Sequence, residues 1–402
     1  MRLIRRSYLD TLIRVKGTPD IKVITGIRRS GKSKILKLFA EHIKETEPES
    51  NIIEIDYSLT KNASLKTQSA LEEYIEKNRV DGVKNYLLID EVQMCDGFEC
   101  AISNFHAQEK FDIYITGSNA FLLSSDLATL FTGRSFEVKV FPFSYKEFLE
   151  YYKIPNSWDN FDRYVREGGM AGAYLYPDDE DKYEYIRSVY NALIVRDIKE
   201  KYNIKDERLI ERVTNFLINN TSRETSILKI TNTLNSNKIE ATDKTVANYI
   251  SHLCDAFMFY KVRRYDIGGR NYLSHSNKYY LADPVFKYAL QGTKNMDYGA
   301  TYENIVAIEL LRRGYELYTG ALYDSEIDFV AKKKDEVLYI QVSDNIDDPK
   351  TLEREARPLL NIRDAYPKII VARTRHEEYQ FEGVRIVDIS EFLSDEKVSL
   401  SE

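Results

Sequence analysis

The chain has 402 residues, 43% of them hydrophobic and 30% charged, with a formal net charge of −7. That balance excludes a disordered or fibrous chain, allows two to four domains, and excludes a uniformly basic nucleic-acid coat while leaving room for one basic part. Cys95, Cys100 and Cys254 form no CxxC pair and exclude a disulfide scaffold. The five histidines have no ligand spacing, so no zinc site is expected. The basic start "MRLIRRSYLDTLIRV" lacks the apolar core of a signal peptide. No run approaches the ~18 apolar residues of a membrane helix. A cytoplasmic protein with no membrane contact is expected.

The first informative stretch is "IKVITGIRRSGKSKILKLFAEHI". Ile21 to Thr25 reads as a strand. Gly26-x-x-x-x-Gly31-Lys32-Ser33 follows, and Ile35, Leu36, Phe39 and Ile43 then recur at helical spacing. Strand, Gly-rich loop and helix in this order predict a phosphate-binding loop over Gly26, Ile27, Arg28, Arg29, Ser30, Gly31, Lys32, Ser33 and Lys34. Its backbone N–H groups turn inward around phosphate oxygens, aided by the helix N-terminus. Lys32 reaches the β- and γ-phosphates, and the Ser33 hydroxyl is a Mg²⁺ ligand. ATP and Mg²⁺ are therefore the expected ligands. Of Arg28 and Arg29, one touches phosphate or a partner subunit, and the other anchors the loop to the part behind it.

In "KNYLLIDEVQ" the run Tyr86 to Ile89 is a strand buried on both faces, which puts Asp90 at its C-terminal end. Asp90 would hold Mg²⁺, and Glu91 would polarise the attacking water as general base. The next strand ends at Thr116 in "FDIYITGSNAFLLSS". There Ser118 or Asn119 hydrogen-bonds the γ-phosphate or the water, caps the next helix, or does both. Arg134 follows Gly133 in a loop; it is either a guanidinium for transition-state charge or a surface arginine.

"TGIRRSGKS", "LLIDEVQ", "ITGSNAFLLS", "TGR" and "FPFSYKEF", in this order, resemble AAA-superfamily P-loop ATPases of bacteria and archaea that carry a C-terminal domain of unknown function. The resemblance implies an α/β P-loop core over residues 1–150. It maps Lys32 and Ser33 to the Walker A motif, Asp90 and Glu91 to Walker B, Ser118 or Asn119 to the sensor strand, and Arg134 to a Gly-Arg motif acting in cis or in trans.

Residues 151–223 read as a helical lid or connector, with a tight turn at Gly168-Gly169. The family has a similar Gly-Gly turn, commonly followed by proline, where this chain has Met170-Ala171. Arg196-Asp197-Ile198 also resembles the family. Residues 224–288 look like a winged helix. A first helix carries Ile227, Ile230 and Leu234. Thr242 or Asp243 caps a second, with Val246, Tyr249, Ile250, Leu253 and Phe257 on one face. A hairpin runs from Phe259 to Tyr265 and back from Lys278 to Leu281. From 224 to 282 eight Lys or Arg face five acids, so DNA is one candidate partner, through Lys244, Lys261, Arg263, Arg264 and Arg270. A protein partner or a second copy of the chain is the other.

Residues 289–402 read as helix, strand, strand, helix, strand. Glu303 shares a helical face with Val306, Ala307 and Leu310, and Asp328 alternates out of phase with Ile327 and Phe329. This part is similar to the restriction-endonuclease-like fold that ends many family members. There a helix Glu, a strand Asp and a Glu-x-Lys gather around Mg²⁺. This chain keeps Glu303, Glu326 and Asp328 but has Gln341 and Ser343 in place of Glu and Lys. An amide is a weak ligand for a hard cation and a hydroxyl carries no charge, so a degenerate site is expected. The sequence as a whole predicts a Mg²⁺-dependent ATPase, a slow-hydrolysing nucleotide switch or DNA-binding regulator, or, less in keeping with Gln341 and Ser343, an ATP-driven nuclease.

Overall fold

The computed structural model describes residues 4–117, 131, 133–269, 271–294, 296–322, 325–374 and 376–394, with backbone only at 196 and 271–275. The chain divides into two compact units, one made of Met1–Val140, Leu193–Asn203 and Asp255–Phe257, the other of the remaining residues.

The first unit is built on a parallel sheet of five strands: β1 Ile21–Thr25, β2 Asn51–Asp56, β3 Asn85–Asp90, β4 Phe111–Thr116 and β5 Ser135–Lys139, in the order β2-β3-β4-β1-β5. Every pairing is parallel. The strands read as apolar runs, rather than as alternating patterns, because helices cover both faces. Ile21, Val23, Ile53, Ile55, Leu87, Ile89, Ile113 and Ile115 pack with the helices Gln68–Asn78 and Phe98–Ala107 on one side. Ile24, Tyr86, Leu88, Tyr114 and Val138 pack with Arg6–Arg14 and Lys32–Thr46 on the other. The helical spacing after the Gly-rich loop is realised, with Ile35, Leu36, Phe39 and Ile43 all buried. Register aligns Ile24 with Thr116 and Ile89 with Ile115, so the C-terminal ends of β1, β4 and β3 share one rim. That rim is where open α/β sheets place ligands.

The second unit holds an eight-stranded mixed sheet. Its strands are β6 Phe259–Asp266, β7 Asn271–Leu281, β8 Glu316–Leu322, β9 Ser325–Lys333, β10 Glu336–Ser343, β11 Lys368–Ala372, β12 Tyr379–Phe381 and β13 Val384–Asp388. Their order is β12-β13-β11-β10-β9-β8-β6-β7. The hairpin β6–β7 is antiparallel, and β6 pairs in parallel with β8. The boundary expected at 288/289 therefore runs through one hydrogen-bonded sheet. Alternation along Phe259–Tyr265 reveals a strand but not its partner. The sequence predicts no strand between the helix Tyr298–Arg312 and "SEIDFVA", where the structure has β8. The helix Asp243–Asp255 stops short of Phe257, whose φ of 54° breaks helical geometry.

Two features of the helical part have clear causes. Tyr145, Phe148 and Tyr152 of "FPFSYKEFLEYY" pack edge-on or tilted with Tyr164 and Tyr174 further along the chain. The Gly168-Gly169 turn is fixed by Asp283, whose carboxylate accepts from the N–H groups of Gly169 at 2.6 Å and Val285 at 3.0 Å. A Cβ on Gly169 would lie 2.2 Å from the Phe143 carbonyl oxygen, so no side chain is tolerated there. Asp283→Ala leaves these buried donors without an acceptor and is expected to lower stability by about 2–4 kcal/mol in urea denaturation.

Candidate nucleotide site

The Gly-rich loop leaves β1 at Gly26, whose φ of 138° and position against Val140 exclude a side chain: a Cβ would lie 2.1 Å from the Val140 carbonyl oxygen. The loop ends at Gly31, which N-caps the helix Lys32–Thr46 with a φ of 99°. Lys32 is buried, and its ammonium donates to the carbonyl oxygens of Gly26 at 2.9 Å and Ile27 at 3.2 Å. Burial lowers its pKa below the usual lysine value, while Glu91, Asp197 and Asp90 pull it back up. The positive charge is thus held at the loop's mouth by neighbouring acids.

Asp90 ends β3 and is buried; its carboxylate accepts from the hydroxyls of Thr116 and Ser33. Burial raises its pKa, and those two hydrogen bonds oppose the rise. Contact between Ser33 and Asp90 brings together an alcohol and a carboxylate from two elements, the donor set of a Mg²⁺ ligated by hard oxygens. Glu91 stands next in the chain with a φ of 56°, a left-handed backbone uncommon for glutamate and typical of functional sites. Its N–H donates to the Thr116 hydroxyl at 3.3 Å, and its carboxylate accepts from Gln93 at 2.5 Å. Lys32, Ser33, Asp90 and Glu91 therefore converge on one rim.

The two loop arginines part ways. Arg28 donates to Asp197 at 2.9 Å. Asp197 sits within the π-helical stretch Leu193–Glu200. It is buried, which raises its carboxyl pKa, while Arg28 and Lys32 oppose the rise. Arg28 is thus the arginine that anchors the loop, whereas Arg29 takes a positive φ of 66°. The sequence names Asp197 without a role; the signal for one is an acid at helical spacing from Leu193 and Ile194 in "NALIVRDIKEKY". Thr116 and Gln93 were missed, having no distinguishing pattern. Ser118 and Asn119 lie outside the described residues.

Of the two alternatives for Arg134, in cis or in trans, the geometry bears against the cis one. Its backbone carbonyl accepts from Ile21 N–H at 2.8 Å, at the N-terminal end of β1. The Gly-rich loop leaves the opposite end. The intervening strand spans about 15–20 Å, too far for a guanidinium to cross. Arg134 is exposed there.

In the second unit, Lys278 of β7 is buried among Glu303 at 2.9 Å, Glu326 at 2.8 Å and Asp328 at 3.3 Å. Tyr280 donates to Glu303 at 2.7 Å, and the Val342 N–H donates to Asp328 at 3.0 Å. Burial, together with Asp328, pushes the Glu303 carboxyl up to about 8, against the pull of Lys278. Gln341 accepts from the Asp328 N–H at 3.3 Å and donates to Glu355 at 3.1 Å, and the Ser343 hydroxyl donates to the Asn345 carbonyl at 3.0 Å.

A five-stranded parallel core with Lys32, Ser33 and Asp90 on one rim defines a P-loop protein of the AAA type. Residues 18–149 match a family model described as "AAA domain", and residues 159–297 match "Domain of unknown function (DUF8612)". Over 395 residues the chain is 35% identical to an uncharacterized protein of Haemophilus influenzae, covering 97% of this chain and 98% of that protein. It is 27% identical over 346 residues to the uncharacterized protein MJ1544 of Methanocaldococcus jannaschii, covering 81% and 75%. The chain belongs to this family of AAA-type P-loop proteins. Among solved structures, the Aeropyrum pernix ORC1 protein in complex with DNA is similar at 12% identity and a TM-score of 0.31, over 76% of this chain and 93% of that one. AMPPCP-bound DnaA from Aquifex aeolicus is similar at 14% identity and a TM-score of 0.31, over 62% and 88%. Among the described residues, no helix is long and apolar enough to cross a membrane.

Proposed function

We propose that the chain binds ATP at the loop Gly26 to Lys34 and hydrolyses it by in-line attack of water on the γ-phosphate. The observation that carries this reading is the convergence of Lys32, Ser33, Asp90 and Glu91 on the rim of the parallel sheet. Lys32 presents its ammonium to the β- and γ-phosphates, exchanging two loop carbonyls for phosphate oxygens. Ser33 and Asp90 fit Mg²⁺, which when bound supplies charge neutralisation for the phosphates. Glu91 orients and deprotonates the attacking water.

The contact between Glu91 and Gln93 favours a second reading, a slow-hydrolysing nucleotide switch. A base engaged by a neighbouring amide is not aimed at water until that amide lets go. Partners remain part of the proposal. Lys244, Lys261 and Arg263 are exposed on the segment of local positive charge, which supports DNA, and a protein partner is the alternative.

The position of Arg134 supports action in trans, on the nucleotide of a neighbouring copy. Steady-state turnover measured with and without duplex DNA separates the motor-like enzyme from the switch. Mixing is the sharper test. Arg134→Ala and Lys32→Ala are each expected to lose turnover by about 100-fold, and a mixture of the two regains part of it through interfaces that pair an intact loop with an intact arginine. No recovery on mixing, at concentrations where the wild type self-associates, removes the trans assignment.

A further inference from the structure

The carboxylate cluster of the second unit invites comparison with a divalent-cation centre, because Glu303, Glu326 and Asp328 are hard oxygen donors. The residues do not fit one. The Lys278 ammonium lies 2.8–3.3 Å from an oxygen of each of the three acids. A lysine has three N–H donors, and here each has a carboxylate. Tyr280 adds a hydrogen bond to Glu303, and the Val342 amide adds one to Asp328. Among the described residues, no group of three or more His, Cys, Asp or Glu is arranged to hold a metal.

We infer that Lys278 is a built-in replacement for the cation: its ammonium occupies the position among Glu303, Glu326 and Asp328 that a divalent ion would take, and it closes the site to metals. The charge arrives from β7, an edge strand of the sheet, and not from position 343 on β10, where the family resemblance implies a lysine. It follows that the change at Ser343 alone does not describe this site. Lys278 serves as a fixed cross-link between β7, the helix Tyr298–Arg312 and β9. Such a link is one-sided in its energetics. Removing the ammonium leaves the buried carboxylates Glu303 and Asp328 facing one another without compensation, whereas the intact quartet gives each acid a positive partner.

The prediction is an exchange of cations. Wild-type protein, Lys278→Ala, Asp328→Asn and the double variant are melted without nucleotide in the presence and absence of Mn²⁺, and each is incubated with Mn²⁺ and plasmid DNA. Wild type is expected to show no Mn²⁺ response that differs from that of Asp328→Asn, and no DNA cleavage. Lys278→Ala is expected to melt lower or to be unfolded without metal. Mn²⁺ at 1 mM-scale concentration should raise its midpoint by about 4 °C or more, or restore its folding, and the double variant should lose that response. Asp328-dependent Mn²⁺ binding or DNA cleavage by the wild type overturns the inference. So does a Lys278→Ala protein that, folded or unfolded, does not respond to Mn²⁺.

Discussion

Glu91→Gln is expected to bind ATP within about twofold of the wild-type affinity and to lose at least about 100-fold in turnover, the usual contribution of a positioned general base. The amide keeps the size and hydrogen-bonding reach of the carboxylate, so the left-handed turn at residue 91 and the Thr116 contact through the backbone N–H are retained. Only the capacity to accept the proton of the attacking water is lost. The replacement also changes the partner for Gln93, which now faces an amide in place of a carboxylate. Equilibrium binding of a fluorescent ATP analogue and a phosphate-release assay separate the two effects. Hydrolysis at the wild-type rate in Glu91→Gln removes the base assignment, and loss of binding shows that the residue holds the loop rather than the water.

Lys32→Ala acts one step earlier, on affinity. Its ammonium is the buried positive charge at the loop's mouth, and charged hydrogen bonds to phosphate contribute about 1.5–3 kcal/mol each. Losing contacts to two phosphates therefore predicts at least about a 100-fold weaker Kd for ATP. The direction of the lysine pKa matters here. Burial depresses it, so an arriving triphosphate, with its negative charge, stabilises the protonated form and takes up any proton deficit. Calorimetric titration in two buffers of different ionisation enthalpy reports that linkage. Wild-type affinity in Lys32→Ala removes the site.

What could be read in advance divides along a physical line. Local order was legible: the strand, loop and helix around Lys32, the doubly buried run before Asp90 and the inward face of Glu303 are all written in spacing a few residues long. Long-range partnership was not. Asp197 is an ordinary acid until it meets Arg28, 169 positions away. Lys278 reads as the return strand of a hairpin until the sheet brings it to Glu303 and Asp328. The pairing of β6 with β8 merges two expected domains into one sheet, because an exposed strand edge carries no sequence pattern of its own. Whether Arg134 acts in cis or in trans stays open in the sequence for the same reason. A motif gives the order of elements, but only the parallel pairing of β5 with β1 says which end of the sheet the arginine occupies.

The discontinuity of the first unit bears on how the protein is made. Its P-loop core is interrupted by more than fifty residues and completed by Leu193–Asn203 and Asp255–Phe257. On a ribosome the phosphate loop emerges early, but its anchor at Asp197 emerges many seconds later at ordinary synthesis rates of about 5–20 residues per second. During that interval Arg28 has no acid to hold it. Nascent chains stalled before residue 193 should accordingly display a loop that proteases reach, and chains stalled after residue 257 a protected one. Expression of residues 1–150 alone would deliver the motif without the segment that closes around it.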